Sequence, residues 1–466
     1  MARLQSINPS TGEAIADYDE ADEAAVERAL DRARHAFVQF RTTRFAERAV
    51  LMNRAADHLE SRLDEHARLI SDEMGKAITE ARAEVKKCAW NCRYFAEHAA
   101  RFLAHEPVAS GAAESYVDYP PLGVVLAIMP WNFPYWQLFR FAAPALMAGN
   151  TAVLKHASNV PGCARAIERV FAESGFPEGA FTSLLIPGAR AEALIDDPRI
   201  AAVTLTGSEA VGVRVARRAG GALKKAVLEL GGSDPYIVLA DADLDAAAAT
   251  AVRARFQNAG QSCIAAKRFL VDKSVMAPFV ERFVLGAKKL VVGDPKSDNT
   301  EMGPLARADL RDGLTAQVDK SVAMGAKVQT GGAPLPGRGF FFAPTVLTEV
   351  TRDMPVFAEE TFGPVAAVMA VADAEEAIAL ANQSDYGLGA NLWTRDLDKA
   401  RALAPRIESG SVFVNGMVAS DPRLPFGGVK KSGYGRELSW FGIREFTNIQ
   451  TVWIGPAGDD KNPRSE

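Results

Sequence analysis

The fold is decided by four apolar stretches in the first half of the chain: GVVLAIM at residues 123–129, TAVLK at 151–155, AAVTLT at 201–206 and KAVLEL at 225–230. Each has the length of a buried strand, and helix signals separate one stretch from the next. The helix after TAVLK, for example, is predicted to begin near Pro161 and to end at Gly175, the usual placement of these residue types. Strands that alternate with helices predict a parallel sheet covered by helices, so the fold class is α/β.

The same alternation returns beyond Gly231 and Gly232. It runs through a strand at Tyr236, a helix from Leu244, a strand at 365–371, a helix from Ala374 and a strand at 411–415. This pattern predicts a second α/β unit, joined to the first at the glycine pair. Before both units, residues 21–105 place apolar residues at helical spacing among many charges, which predicts a helical region.

Composition excludes several classes of protein. The 53 basic and 58 acidic side chains leave a net charge of −5, so a protein that binds nucleic acid by charge alone is not expected. With 48% hydrophobic and 24% charged residues, the chain resembles a packed soluble protein rather than a disordered, collagenous or coiled-coil one.

The sequence also favours the cytoplasm. The first residues, MARLQS, lack the apolar segment of a secretory signal peptide. No apolar run reaches the roughly 20 residues of a membrane helix, so no membrane partner is predicted. Four cysteines are too few for a disulfide framework, which indicates a reducing compartment.

Cys263 is the strongest candidate for a reactive group. It ends the sequence GQSC at 260–263, where glycine and polar neighbours indicate a loop rather than a packed core. Cys88, Cys92 and Cys163 are expected to be buried, the common fate of free cysteines. A thiol with an ordinary pKa of about 8.5 must become more acidic to attack at neutral pH. Backbone donors or a nearby cation are therefore expected beside Cys263.

Histidine does not provide an obvious partner for this thiol. All six histidines, at positions 35, 58, 66, 98, 105 and 156, lie in the first third of the chain. That distribution disfavours a Cys-His hydrolase. Because no histidine pair matches a metal-binding motif, no metal site is predicted.

Glu229 is the alternative base. It stands near the end of the KAVLEL stretch, at the carboxyl end of a predicted strand, where α/β folds bind their ligands. The alternation of side chains along a strand also permits Glu229 to lie on a solvated face beside Lys225 and Val227.

Residues 207–212, GSEAVG, follow the AAVTLT strand and open a helix. A helix N-terminus suits a phosphate group. The segment matches neither a Walker loop nor the GxGxxG motif, and capping of the helix by Ser208 explains it equally well.

The sequence PWNFP at 130–134 ends a strand and is predicted to enter a helix. Asn132, Trp136 and Arg140 would then lie near one helix face and line one channel. Eight residues separate Asn132 from Arg140 by about 12 Å along the axis. That span suits an oxyanion donor at one end and a carboxylate-binding cation at the other. The alternative is that Trp136 belongs to the core and Arg140 to a surface ion pair.

Five motifs together resemble the aldehyde dehydrogenase family, in order and over nearly the whole chain: PWNFP at 130–134, ELGG at 229–232, GQSC at 260–263, ETFGP at 360–364 and PFGG at 425–428. Three others look like those of the short bacterial succinate-semialdehyde dehydrogenases: KHASNVP at 155–161, GGSDP at 231–235 and SDP at 420–422.

The resemblance implies an architecture of three parts and a homo-oligomer, either a dimer or a tetramer. A Rossmann-type domain that binds NAD(P) would comprise 1–102 and 122–231, and an α/β catalytic domain 232–440. Residues 103–121 and 441–458 would form a small β oligomerisation element, followed by a flexible tail at 459–466.

The resemblance also implies a chemistry. Cys263 would be the nucleophile, Asn132 would donate to the oxyanion and Glu229 would activate the water that releases the product. An aldehyde would thus be oxidised to an acid through a thiohemiacetal and a thioester. The alternatives are a CoA-acylating dehydrogenase and a non-catalytic protein on the same scaffold. The intact ELGG motif argues against the first, and the three intact residues argue against the second.

The cofactor positions that the family implies are Trp131, Lys155, Gly207, Ser208, Val211, Leu230, Glu360 and Phe362. Lys155 and Glu360 would contact the two riboses. Ser158 stands where NAD-preferring relatives often carry Glu, which binds the adenosine 2′-hydroxyl and repels a 2′-phosphate. We therefore predict NADP as the cofactor, with NAD as the alternative.

Arg140 and Ser420 match positions that hold the distal carboxylate of succinate semialdehyde in similar enzymes, and Trp136 would line the same site. The expected substrate is a small aldehyde with a distal carboxylate. A broad-specificity enzyme, or one for another ω-carboxy aldehyde, is the alternative.

Overall fold

A computed structural model describes residues 3–456 of the 466-residue chain. The strands are β1 Arg3–Ile7, β2 Ala14–Asp19, β3 Glu106–Pro107, β4 Glu114–Asp118, β5 Val124–Met129, β6 Thr151–His156, β7 Phe181–Ser183, β8 Ile200–Thr206, β9 Lys225–Glu229, β10 Asp234–Val238, β11 Ala266–Asp272, β12 Lys327–Thr330, β13 Thr345–Thr348, β14 Val365–Val371, β15 Tyr386–Gly387, β16 Gly389–Trp393, β17 Ser411–Val414, β18 Val429–Lys430, β19 Gly433–Tyr434 and β20 Gln450–Ile454. The α-helices are α1 Glu23–Phe40, α2 Phe45–Ser61, α3 Leu63–Met74, α4 Ile78–Phe102, α5 Trp136–Ala148, α6 Pro161–Glu173, α7 Gly188–Leu194, α8 Glu209–Gly221, α9 Leu244–Phe256, α10 Met276–Lys289, α11 Ala308–Ala323, α12 Pro355–Ala358, α13 Ala374–Asn382, α14 Leu397–Leu403 and α15 Ser439–Arg444.

The first large sheet has six strands in the order β19-β9-β8-β5-β6-β7. All its pairs are parallel except β19 with β9. Every residue of β5 is buried, because alternate side chains enter two different helix-covered cores. The predicted α/β fold class is thus confirmed for this half of the chain.

The order of strands in this sheet locates a binding crevice. The chain runs from β5 to β6 on one side, whereas β8 lies on the other side of β5. The segments that leave the carboxyl ends of β5 and β8 therefore diverge, and α/β proteins bind ligands at such a switch point.

The second large sheet has seven strands in the order β12-β13-β14-β11-β10-β16-β17. Only β12 runs antiparallel to its neighbour among these strands. Its core includes apolar side chains of α9, α10 and α13. The predicted second α/β unit is thus present, and its strand at 365–371 matches β14 in both bounds.

A small antiparallel sheet joins distant parts of the chain in the order β20-β4-β3. These strands fall within the ranges predicted for the oligomerisation element, except that 457–458 and the predicted tail at 459–466 lie outside the described residues. The strand β19 pairs with the first sheet although it belongs to the range 232–440. The division into domains stays a prediction.

The predicted helical region contains α1 to α4. The longest of these, α4, packs against α5 and brings Glu80, Glu84 and Lys87 to the cavity described below, because residues at this spacing share a helix face. Within residues 3–456, no helix combines the length and the apolar character needed to cross a bilayer.

Candidate active site

Cys263 lies at the junction of two cavities. One has a volume of about 160 Å³ and the other about 470 Å³, and Cys263 lines both. Cys88, Cys92 and Cys163 are buried, whereas Cys263 is partly exposed. Among the described cysteines, only Cys263 is therefore placed to meet a ligand.

The loop before Cys263 has an unusual backbone. Asn258 and Ala259 have φ angles of 55° and 53°, in the left-handed region that costs a residue with a side chain about 1 kcal/mol or more. Gly260 follows at 72°, and a Cβ there would collide with the carbonyl oxygen of Gly363. The Asn258 amide donates to the carbonyl oxygens of Asn132 at 2.8 Å and Gln261 at 3.1 Å. These bonds hold the strained turn in place.

Lys267 supports the same loop from inside the protein. Its ammonium group donates to the backbone carbonyls of Ser262 at 3.0 Å and Cys263 at 2.8 Å. It also lies 3.8 Å from the Glu360 carboxylate, so one fully buried cation joins the nucleophile loop to a predicted cofactor residue. A lysine within a fully buried strand marks Lys267 in the sequence, although none of the motifs contains it.

The thiol itself is not acidic in this structure. Low-polarity walls raise the pKa of Cys263 to about 12, although the nearby Arg140 and Lys267 cations act in the opposite direction. Both cations favour the thiolate, but burial outweighs them. A base or a bound ligand must shift the equilibrium before attack.

Glu229 is buried rather than solvated, with 1% of its surface exposed. It ends β9 as predicted, but it is not among the described residues that line the two cavities. Neither carboxylate oxygen accepts a hydrogen bond from a described residue. Oε1 lies 2.9 Å from the position that a Cβ would take at Gly427. The side chain is therefore held by packing and not by hydrogen bonds.

Burial raises the pKa of Glu229 above its ordinary range, Arg140 opposes the shift, and the Glu437 carboxyl adds to it. A carboxyl group with a raised pKa is a stronger base when ionised.

The alternative that Arg140 forms an ion pair at the surface is wrong. Its Nε does form an ion pair, but the partner is Glu437 and both side chains are almost fully buried. The guanidinium also stacks over the Phe426 ring at 4.4 Å. Burial raises the pKa of Glu437, and Arg140 opposes that shift. Arg140 still lines the smaller cavity.

The prediction that Asn132 belongs to the same helix as Trp136 and Arg140 is wrong. Helix α5 begins at Trp136, because Pro134 has no N–H and restricts the residue before it. The spacing of about 12 Å along a helix axis therefore does not apply. Asn132 lies in the preceding loop, lines the larger cavity and donates to the Gln261 carbonyl at 3.1 Å. Trp136 and Arg140 line the smaller one.

The larger cavity gathers most of the predicted cofactor residues at the switch point of the first sheet. Its walls include Trp131, Lys155, Gly207, Ser208, Val211, Leu230, Glu360 and Phe362. Burial lowers the pKa of Lys155. Ser158 is exposed in the turn after β6 and is not among the described lining residues.

The alternative role of Ser208 as a helix cap is weakened by its geometry. Ser208 does occupy the N-cap position of α8, but its side chain makes no capping hydrogen bond. The hydroxyl and the first N–H groups of α8 are therefore available to a ligand in the larger cavity.

The smaller cavity contains the three predicted substrate residues, Trp136, Arg140 and Ser420, together with Lys87 and Phe426. Sequence reasoning missed Lys87, since its neighbour Lys86 and the many charges of α4 indicated a solvated face. It missed Glu437 because no local pattern marks a contact with Arg140. No cluster of three metal-binding side chains occurs in the part of the chain that the structure describes.

The chain resembles known proteins in both sequence and fold. The model of the aldehyde dehydrogenase family matches residues 2–452. The chain belongs to the aldehyde dehydrogenase family. It is 52% identical over 456 residues to the succinate-semialdehyde dehydrogenase (NADP⁺) of Mycobacterium avium, a match that spans 97% of each protein.

Two solved aldehyde dehydrogenases have the same fold. The succinic semialdehyde dehydrogenase of Streptococcus pyogenes, solved with NADP⁺, has a TM-score of 0.95 and 37% identity, over 97% of this chain and all of the other. The NAD-dependent aldehyde dehydrogenase of Sinorhizobium meliloti has a TM-score of 0.93 and 34% identity, over 98% of this chain and 93% of the other. The fold alone therefore does not decide between the two cofactors.

Proposed function

We propose that this aldehyde dehydrogenase oxidises succinate semialdehyde to succinate with NADP. The observation that carries the proposal is the position of Cys263 between two cavities, one with the predicted cofactor residues and one with the predicted carboxylate residues. The name of the Mycobacterium avium relative supports the same substrate and cofactor.

The first half of the reaction takes place at Cys263. Its thiolate adds to the aldehyde carbon, and the carbonyl oxygen becomes an alkoxide. The Asn132 amide and the Cys263 backbone N–H would stabilise that charge, and each such donor is worth about 3 kcal/mol. The walls of the larger cavity would hold NADP, and its nicotinamide would supply the acceptor for the hydride that leaves the same carbon.

The second half releases the acid. The thioester on Cys263 needs a water molecule made nucleophilic, and Glu229 would rotate towards the sulfur to take a proton from it. A buried carboxylate with no hydrogen-bond partner suits this task, because no hydrogen bond has to be broken before the side chain moves.

Kinetics with an aldehyde panel and both cofactors test the proposed function. We expect kcat/KM for succinate semialdehyde to exceed that for butanal by at least about tenfold, since each charge-assisted bond to the carboxylate contributes more than 1 kcal/mol. NADP is expected to give the higher kcat/KM of the two cofactors. Equal rates with succinate semialdehyde and butanal would contradict the assignment of the substrate.

Ser158→Glu is expected to reverse the cofactor preference. Ser158 follows Ala157, which lines the larger cavity, and the family pattern implies that a carboxylate at this position would repel the 2′-phosphate of NADP. Repulsion of like charges is expected to lower kcat/KM for NADP by at least about tenfold, while NAD use is kept or improved. Ser158→Gln is the matched control, because it adds the same bulk without the charge. An unchanged ratio of NADP to NAD in Ser158→Glu would refute the role of Ser158.

We also propose a homo-oligomer, either a dimer or a tetramer. Ile449, Trp453 and Ile454 are exposed on or beside β20, the edge strand of the small sheet. Apolar side chains on an open sheet edge favour association with a second copy. Light scattering after size exclusion measures the mass, and a monomer would contradict the proposal.

The cytoplasm is the proposed compartment. All four cysteines are free in the structure, and a nucleophilic thiol is stable where thiols stay reduced. Cell fractionation tests this placement, and recovery outside the cytoplasm would contradict it.

A further inference from the structure

The smaller cavity contains a polar cluster that the reaction at Cys263 does not explain. Lys87 Nζ donates to the Ser420 hydroxyl oxygen at 2.9 Å, and Trp136 Nε1 donates to the same oxygen at 3.0 Å. Lys87 also lies 4.3 Å from the centre of the Trp136 ring. Three side chains from three distant parts of the chain therefore converge on one point of the cavity wall.

The hydroxyl group of Ser420 has an unused proton. A serine hydroxyl has two lone pairs and one hydrogen, whereas an ammonium and an indole N–H can only donate. Both lone pairs of Ser420 are thus occupied by Lys87 and Trp136, so its own hydrogen must point to another acceptor. Among the hydrogen bonds of the described residues, none has Ser420 as a donor. The hydroxyl hydrogen of Ser420 is therefore free to meet an acceptor in the cavity.

The other charges that line the smaller cavity already have partners. Arg140 is paired with Glu437, and Glu84 is paired with Lys76. Glu80 accepts the backbone N–H of Asn258 at 3.0 Å.

Lys87 is the exception among these charges. Within residues 3–456 it forms no ion pair, and its hydrogen bond goes to a neutral hydroxyl. Asp421 lies nearby, but its carboxylate is paired with Arg423. The side chain is half-buried, and burial lowers the pKa of Lys87 to about 8. A partly desolvated cation without a counter-ion favours the binding of an anion.

We propose that Lys87 binds the distal carboxylate of the aldehyde substrate, together with the hydroxyl proton of Ser420. This inference rests on the proposed function, which supplies an aldehyde with a carboxylate at its far end. Lys87 then discriminates between substrates, and Arg140, whose charge is shared with Glu437, contributes a second and weaker attraction.

Lys87→Met tests the proposal with two substrates of similar shape, succinate semialdehyde and its uncharged methyl ester. We expect kcat/KM for succinate semialdehyde to fall by about thirtyfold, the size of a lost hydrogen bond between charged groups, and mainly through KM. The methyl ester is expected to react within about threefold of its rate with the wild-type enzyme. Lys86→Met is the matched control, since Lys86 is exposed on the same helix, and it is expected to change neither value.

Inhibition by succinate gives a measurement that does not depend on catalysis. Its inhibition constant is expected to rise in Lys87→Met by the same factor as KM for succinate semialdehyde. If both substrates lose activity equally, Lys87 only supports the structure, and the inference is overturned.

The two proposals fail in different ways. If the wild-type enzyme prefers succinate semialdehyde to the methyl ester and Lys87→Met keeps that preference, the role of Lys87 is refuted while the proposed function stands. If the wild-type enzyme shows no such preference, the proposed substrate is refuted, and the role of Lys87 with it.

Discussion

Cys263→Ala is expected to abolish NADPH formation from any aldehyde, with a fall in kcat of at least about 10⁴-fold, as for the loss of other enzymatic nucleophiles. The reason is that the covalent step has no other described thiol available, because Cys88, Cys92 and Cys163 are buried away from both cavities. NADP binding should survive, and quenching of tryptophan fluorescence measures it, since Trp131 lines the cofactor cavity.

Cys92→Ala is the matched control for this variant. Cys92 is fully buried in α4 and its pKa is raised by burial, so its loss is expected to lower stability slightly and to leave kcat unchanged. If Cys263→Ala keeps more than about a tenth of the wild-type kcat, covalent catalysis at this residue is excluded.

Glu229→Gln is expected to separate the two halves of the reaction. Glutamine keeps the size of the side chain but cannot take a proton from water, so acylation proceeds and hydrolysis of the thioester slows by about 10² to 10⁴-fold. Rapid mixing should show a burst of one NADPH per active site, followed by slow turnover. Hydroxylamine, which cleaves thioesters without a base, is expected to restore turnover.

The pH dependence provides a second measurement of Glu229. Because burial raises its pKa, Glu229 is protonated and inactive as a base at low pH, and it gains activity as the pH rises through that pKa. Deacylation by the wild-type enzyme should therefore rise with pH, whereas Glu229→Gln should lose this rise. If Glu229→Gln shows steady turnover without a burst, Glu229 takes no part in deacylation. If coenzyme A alone restores turnover, the result favours the alternative of a CoA-acylating dehydrogenase.

The two large sheets could be predicted from the sequence because their central strands are buried on both faces. A strand such as β5, with every residue buried, leaves a continuous apolar run. The start of α5 could not be predicted in the same way. Spacing alone extends a helix back to Asn132, whereas Pro134 and the hydrogen bond from Asn132 to Gln261 keep that residue in a loop.

The site could be predicted only in part, since its polar contacts cross long distances in the chain. Motifs located Cys263, Glu229 and the residues of the cofactor cavity. They did not reveal Lys87, because its contact with Ser420 joins residues 333 positions apart. The ion pair of Arg140 could not be predicted for the same reason, because its partner Glu437 lies far along the chain. Only the folded structure brings such partners together.

The meeting of the two cavities at Cys263 has a consequence for protein engineering. Of the described lining residues, Gln137 and Cys263 alone belong to both walls. Substitutions at residues that share no contact usually add, so libraries that vary the far wall of each cavity can be combined. Changes at Arg140 and Thr206 are expected to be coupled, because these residues of the two walls lie within 3.5 Å of each other. Coenzyme preference and aldehyde preference can thus be varied separately where the varied residues do not touch.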